Sequence, residues 1–233
     1  LIAAAQYANA HSWVEALYRI SNTGMFVGDM GYPMGWVNRT ALGQAFSDDM
    51  VLNKILDLKS DPVVCRQFAQ GDYSGQAQPL KAAPGDSIAM LYAENGHVTD
   101  PELVPGRPYR GGNVYVYGTL KQKPDNKLND ILNVWNAAGT GGNKKGKLLA
   151  THFYDDGQCY QDRGAEGPKY PIFVERKNKY GLPELLCQSD VRLPEDLPTT
   201  GKYHLFWIWN WPLNNGLAGN TTEIYTSCAE IQL

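Results

Sequence analysis

The chain contains four histidines, His11, His97, His152 and His204, and they are the side chains with the most chemistry to offer. His11 stands directly behind Ala8-Asn9-Ala10, a small-x-small triplet of the kind at which secretory leaders are cut. A cut after Ala10 would leave His11 with an imidazole and a free α-amine in one residue. The unperturbed amine has a pKa of about 7.7–8.0, so a metal can displace its proton, and nitrogen donors suit Cu(II) in tetragonal geometry. One residue then chelates through two nitrogens, and one further histidine completes a three-nitrogen set. His97 lies in Glu94-Asn95-Gly96-His97-Val98-Thr99, a loop position just past a strand end. His152 beside Phe153, and His204 on a tryptophan-rich strand, read as structural residues.

Other chemistries fit less well. Gly141 to Lys147 matches G-x-x-x-x-G-K, but Leu148 follows where a phosphate loop needs Ser or Thr for magnesium. A solvated basic turn is the better reading. Asp155-Asp156 could be paired acids for glycoside hydrolysis, yet such acids must stand several ångströms apart across a sugar. Adjacent residues before Gly157 read instead as a turn. No G-x-S-x-G elbow supports a Ser-His-Asp triad.

The rest of the composition suits an exported protein. Residues 1–10, LIAAAQYANA, are expected to be the end of a secretory signal peptide that is removed. Residues 11–233 are then one domain. Charged residues make up 19% and the net charge is −3, which argues against a nucleic-acid partner. No apolar run is long enough to span a membrane. The cysteines Cys65, Cys159, Cys187 and Cys228 form no C-x-x-C pair, so two disulfides are expected rather than zinc. Each is worth roughly 3–5 kcal/mol, and sequence alone leaves three pairings open. Sequons at Asn38 and Asn220 fit an exported glycoprotein.

Elements that could position these residues follow from periodicity. Strands are expected over Ser12–Ile20, Ser87–Ala93, Asn113–Tyr117, Leu148–Tyr154 and Thr222–Leu233. The strongest is Tyr203–Trp211, with Leu205, Trp207, Trp209 and Trp211 at period two. Ser21–Trp36, rich in turn formers, is expected to be a long loop, Met50–Leu58 a short helix, and Ile131–Ala137 a strand or a helical turn. No 10–15-residue helices alternate with the strands. The pattern predicts an all-β, antiparallel β-sandwich with long loops.

Several of these features together resemble the fungal lytic polysaccharide monooxygenases, secreted copper enzymes on an immunoglobulin-like β-sandwich. The likeness rests on His11 after Ala8-Asn9-Ala10, on Glu94-Asn-Gly-His97-Val-Thr, and on the closing Glu223-Ile-Tyr225-Thr-Ser-Cys228-Ala-Glu-Ile231. It is nearest to an uncharacterised fungal branch with HSWVE starts, E-N-G-H-V-T, and Y-x-L-x-W-x-W-x-W-P near the end. The resemblance implies a histidine brace in which His11, by amine and imidazole, and His97 ligate one copper ion, with Tyr225 axial. Glu223 stands where cellulose-active members have Gln and would hydrogen-bond a bound oxygen species. The pairings Cys65–Cys228 and Cys159–Cys187 would follow.

The implied partners are a polysaccharide (cellulose, chitin or hemicellulose) and an external electron donor, with the protein monomeric and extracellular. Tyr32 and Trp36 would offer a stacking surface. Two departures stand out. The penultimate strand holds Trp209, Asn210 and Trp211 where the cellulose-active group carries a histidine, and Glu for Gln adds negative charge beside copper. Two alternatives therefore stay open: a secreted copper-binding protein of the same fold without polysaccharide cleavage, and a metal-free carbohydrate-binding or cell-wall protein.

Overall fold

The computed structural model describes residues 11–69, 71–99, 108–162, 164–213 and 221–233. The Ala8-Asn9-Ala10 triplet and Asn220 lie outside them. Among the described residues the strands are β1 (Val14–Ile20), β2 (Phe26–Gly31), β3 (Lys54–Ile55), β4 (Leu80–Lys81), β5 (Ser87–Tyr92), β6 (Asn113–Thr119), β7 (Gly146–Phe153), β8 (Cys187–Arg192), β9 (Lys202–Leu213) and β10 (Thr221–Gln232). One sheet runs β2-β1-β5-β8 and the other β3-β10-β9-β6-β7, all neighbours antiparallel. Two-residue β4 adds a parallel pair to the end of β10, through Ile231 and Leu80. This is the expected all-β, immunoglobulin-like antiparallel β-sandwich.

The core shows why β9 is so apolar. Its Trp207, Trp209 and Trp211 are buried and pack in one cluster with Leu17, Ile88, Met90 and Tyr92 of the facing sheet. The alternate residues Phe206 and Ile208 are buried as well, in a second cluster with Met34, Val64, Leu128, Ile131 and Trp135 from the loops. A strand buried on both faces reads as a near-continuous apolar run. Fully burying each such side chain is worth roughly 1.5–3 kcal/mol, so this sheet is the energetic centre of the molecule.

Both implied disulfides form. Cys65–Cys228 fastens a long loop to the outer face of β10, and Cys159–Cys187 ties the segment after β7 to β8.

Several expectations need correcting. Ser21–Trp36 is not all loop, because β2 folds back on β1 after the turn at Gly24 and stacks Phe26 on Tyr18 at 4.8 Å. As an edge strand it is largely exposed, which hid it from a search for apolar alternation. Met50–Leu58 is not a helix. Asp48–Met50 and Leu58–Ser60 are single 3-10 turns, and Lys54–Ile55 pairs with β10. Asn53 anchors this segment: its side chain donates to Thr226 Oγ1 at 2.7 Å, and its carbonyl accepts from Thr226 N–H at 3.1 Å. Long-range pairing overrides the local propensity here. Of the two alternatives for Ile131–Ala137, the helical turn is the one that forms, with Trp135 N–H donating to the Ile131 carbonyl.

Two elements were not foreseen. β8 buries Cys187, Ser189 and Val191 on alternate positions, a polar mixture that does not look like a core face. The ten-residue helix α1 (Pro171–Tyr180) buries only Phe173. Its signals were present nonetheless, Pro171 at the first turn and Gly181 with φ 70° at the end.

The disulfides close loops of very different length, with sequence separations of 163 and 28. By loop entropy, opening Cys65–Cys228 should cost about 5 kcal/mol and opening Cys159–Cys187 about 3.5. Denaturant unfolding of the two double Cys→Ser variants should rank them in that order; the reverse ranking would show that native packing, not chain entropy, sets their contribution.

Candidate metal centre

His11 lies three residues before the first residue of β1 and is half-buried. The start of β1 is fixed from both sheets. Ser12 Oγ donates to the Ala93 carbonyl at 3.1 Å, and Val14 N–H donates to Ser227 Oγ at 2.9 Å. The β1–β5 register slips between Val14 and Ala16, and such a bulge re-aims a strand end. The His11 carbonyl accepts a hydrogen bond from the Asn95 side chain.

That bond explains the Glu94–Thr99 sequence. Glu94 is 1% exposed. Its carboxylate accepts from Val98 N–H at 2.8 Å, from Thr99 N–H at 3.2 Å and from the Thr99 hydroxyl. The buried charge is thus satisfied by three donors. His97 N–H closes the turn on the Glu94 carbonyl at 2.9 Å. Asn95 and Gly96 take positive φ, 46° and 84°, a conformation that asparagine tolerates and glycine adopts without cost. The loop so formed carries Asn95 to His11 and sinks His97 to 3% exposure.

The His97 ring meets Trp209 and Trp211 edge-on, with centroids at 4.7 and 4.4 Å. Trp209 stacks in turn on Tyr225 at 4.9 Å and on Tyr154 at 3.8 Å. Its indole N–H donates to the Gly111 carbonyl at 2.7 Å. One indole therefore supports both His97 and Tyr225. The Tyr225 hydroxyl donates to Glu223 Oε2 at 2.6 Å, and Glu223 Oε1 lies 3.4 Å from Lys54 Nζ. Burial, then the bond to Glu223 and its charge, push the Tyr225 phenol above its usual range, so it stays neutral. The extra charge expected from Glu223 is paired with Lys54 rather than left bare.

Sequence reasoning missed Asp48. Its Oδ2 lies 2.6 Å from His11 Nδ1, the ring nitrogen that an amine–imidazole chelate would use. Asp48 starts a 3-10 turn, its carbonyl accepting from Val51 and Leu52 N–H at 3.0 and 2.8 Å. The available signal was the Asp48-Asp49 pair, which directly precedes the segment expected to be a short helix. Lys54 and Asn95 were also unassigned, and neither carries a signal apart from its position in the fold.

Other expected site residues divide. Tyr32 and Trp36 are half-buried and pack on each other, centroids 4.3 Å apart at 46°, so they form no flat exposed platform. Trp36 instead lines an open groove of about 780 Å³ with Leu42, Met50, Arg66 and Phe68. Asn38 is exposed, and its Oδ1 caps a short helical turn at Ala41 N–H, 3.0 Å away. Asp155 pairs with Arg176 through both oxygens at 2.8 and 2.9 Å, while Asp156 accepts from three backbone N–H groups. Both acids are structural turn residues, as expected. With Cys159 they form a compact group, but Cys159 is disulfide-bonded and has no thiolate to give. Gly141–Lys147 is a turn that enters β7.

The described residues thus define a two-sheet antiparallel sandwich with two histidine-bearing segments, a buried tyrosine and a carboxylate at one end. The chain belongs to the family described as a domain of unknown function, DUF7492, which it matches over residues 8–233. No curated protein matches. Among solved structures, the cellulose-active polysaccharide monooxygenase MtPMO3* from M. thermophila is similar at 17% identity and a TM-score of 0.42, over 95% of this chain and 77% of that one. The crystal structure of HiLPMO9B is similar at 14% identity and a TM-score of 0.41, over the same shares.

Glu94 should be the residue on which the histidine loop depends. Replacing Glu94 with Ala leaves two backbone N–H groups and a hydroxyl without their charged acceptor, a loss of about 3 kcal/mol. Urea unfolding measures it; a change below about 1 kcal/mol would mean that the loop does not need this carboxylate.

Proposed function

We propose that the protein is a secreted copper protein that cleaves glycosidic bonds oxidatively in a cell-wall polysaccharide. In this reading residues 1–10 are removed. The mature His11 would then offer its amine and imidazole, His97 a second imidazole, and Tyr225 a phenol oxygen to one copper ion. The observation that carries the reading is that segments remote in sequence converge: the Asn95 side chain joins the His97 loop to the His11 backbone, and Trp209 is shared by His97 and Tyr225. Two imidazoles, a neutral phenol and an amine are a donor set that fits copper.

Copper, when bound, would supply the one-electron and oxygen chemistry. The chain's own part is geometric and electrostatic. The tryptophan rings hold His97 in a dry setting, and Asn95 holds the His11 backbone beside it. Glu223 accepts the hydrogen bond of the Tyr225 hydroxyl, and the neutral phenol is a weaker donor than a phenolate would be. Lys54 balances the Glu223 charge at this point. The two disulfides accord with an oxidising compartment, and no helix among the described residues is long and apolar enough to cross a membrane.

A second reading, copper binding without polysaccharide cleavage, is favoured by one observation. Tyr32 and Trp36 pack against each other instead of presenting a flat face to a crystalline polymer.

Calorimetric titration with copper, on protein whose mass shows that it begins at His11, tests the common part of both readings. One tight site per chain, lost in His97→Ala, is expected. Weak binding, or binding indifferent to His97, would overturn both. Soluble oxidised fragments released from cellulose, chitin or hemicellulose with ascorbate are expected of the enzyme; tight copper binding without them would leave the second reading.

A further inference from the structure

We propose that Asp48 is a direct ligand of the metal held by His11. The inference rests on the copper-site reading above and adds a donor to it.

The α-amine and the ring of one histidine can share a metal only through Nδ1, because amine nitrogen, Cα, Cβ, Cγ and Nδ1 then close a six-membered ring with the ion. The metal must therefore lie at the edge of the His11 ring that Asp48 faces. Its Oδ2 is 2.6 Å from Nδ1. Two donors at right angles on an ion, each at about 2.0–2.1 Å, stand about 2.9 Å apart. The observed separation is within a few tenths of an ångström of that figure. A metal between Nδ1 and Oδ2 would take the place of the contact they make here.

Asp48 is also held where it is. Its backbone carbonyl is tied by Val51 and Leu52 in a 3-10 turn, and Leu52 is buried. When a metal displaces the Nδ1 proton, the carboxylate loses its hydrogen bond. It then either binds the ion or swings away by side-chain rotation, and binding is the outcome that keeps the observed side-chain position.

The consequence is chemical. A carboxylate is a hard, anionic donor and favours the 2+ over the 1+ ion. It would also occupy a coordination position. Asp48 would thus tune the centre toward the oxidised state and restrict what can enter beside it.

The test is Cu(II) electron paramagnetic resonance and affinity on the mature protein and on Asp48→Asn and Asp48→Ala, each checked for folding by circular dichroism. The expected result is one copper in all three, a changed Cu(II) spectrum in both variants, and Cu(II) affinity lowered at least tenfold, with a higher reduction potential. Added acetate should restore the native spectrum in Asp48→Ala, since it can refill a vacant ligand position. A variant spectrum and affinity equal to the native ones would overturn the assignment and leave the copper site standing. A changed spectrum that acetate does not restore would also overturn it, making Asp48 a positioning residue. Absence of copper binding in the native protein would overturn the copper-site reading itself, and the native titration tells these cases apart.

Discussion

Trp209 sits where most of the structure's constraints meet. Its indole is wholly buried, and its one donor is satisfied by the Gly111 carbonyl, as a buried N–H requires. One neighbour of the ring is Tyr225 on β10, another is Tyr154 past β7, and a third is His97 on the loop after β5. Strands from both sheets are thereby referred to a single rigid body. The twelve-residue register of β9 on β10 fixes its height, because a one-residue slip would send every tryptophan to the opposite face. Close packing of this kind transmits position well, which is what a centre made of remote residues needs.

Around that apolar anchor, the polar groups are paired locally. His11 meets Asp48, Glu223 meets Lys54 and Tyr225, Glu94 meets three donors, and Glu15 meets Arg39. Glu15 illustrates the cost: burial raises its carboxyl pKa, and the Arg39 guanidinium opposes the rise. Partly buried charges persist only where such partners exist. The end of the sandwich is thus electrostatically settled before any ligand is considered, and the polar face of His11 is already directed at a carboxylate.

The absence of a histidine at positions 209–211 of β9 also gains a physical meaning. Positions 209 and 211 are filled by large rings that pack His97, and Asn210 lies between them with its backbone paired to β6 and β10. Space that could hold a second imidazole is occupied by the support of the first.

Much was legible from sequence where one physical rule dominates. Apolar alternation, or an apolar run bounded by turn signals, marked β1, β5, β6, β7, β9 and β10. The Glu94–Thr99 motif pointed to a loop since Asn-Gly favours positive φ, and the cysteines pointed to disulfides since none had metal-ligand spacing. β8 and the edge strand β2 were lost because their residues are polar or exposed, and the Met50–Leu58 segment because its partner, β10, lies about 170 residues away. Asp48 could be found only in three dimensions. Sequence names a carboxylate, but the 2.6 Å approach to His11 Nδ1 depends on a turn packed through Leu52 and on a strand end bound to both sheets. Residue types and their alternation determined the class of fold and the candidate donors; which donors share one place was decided by long-range packing, whose contacts leave no periodic trace along the chain.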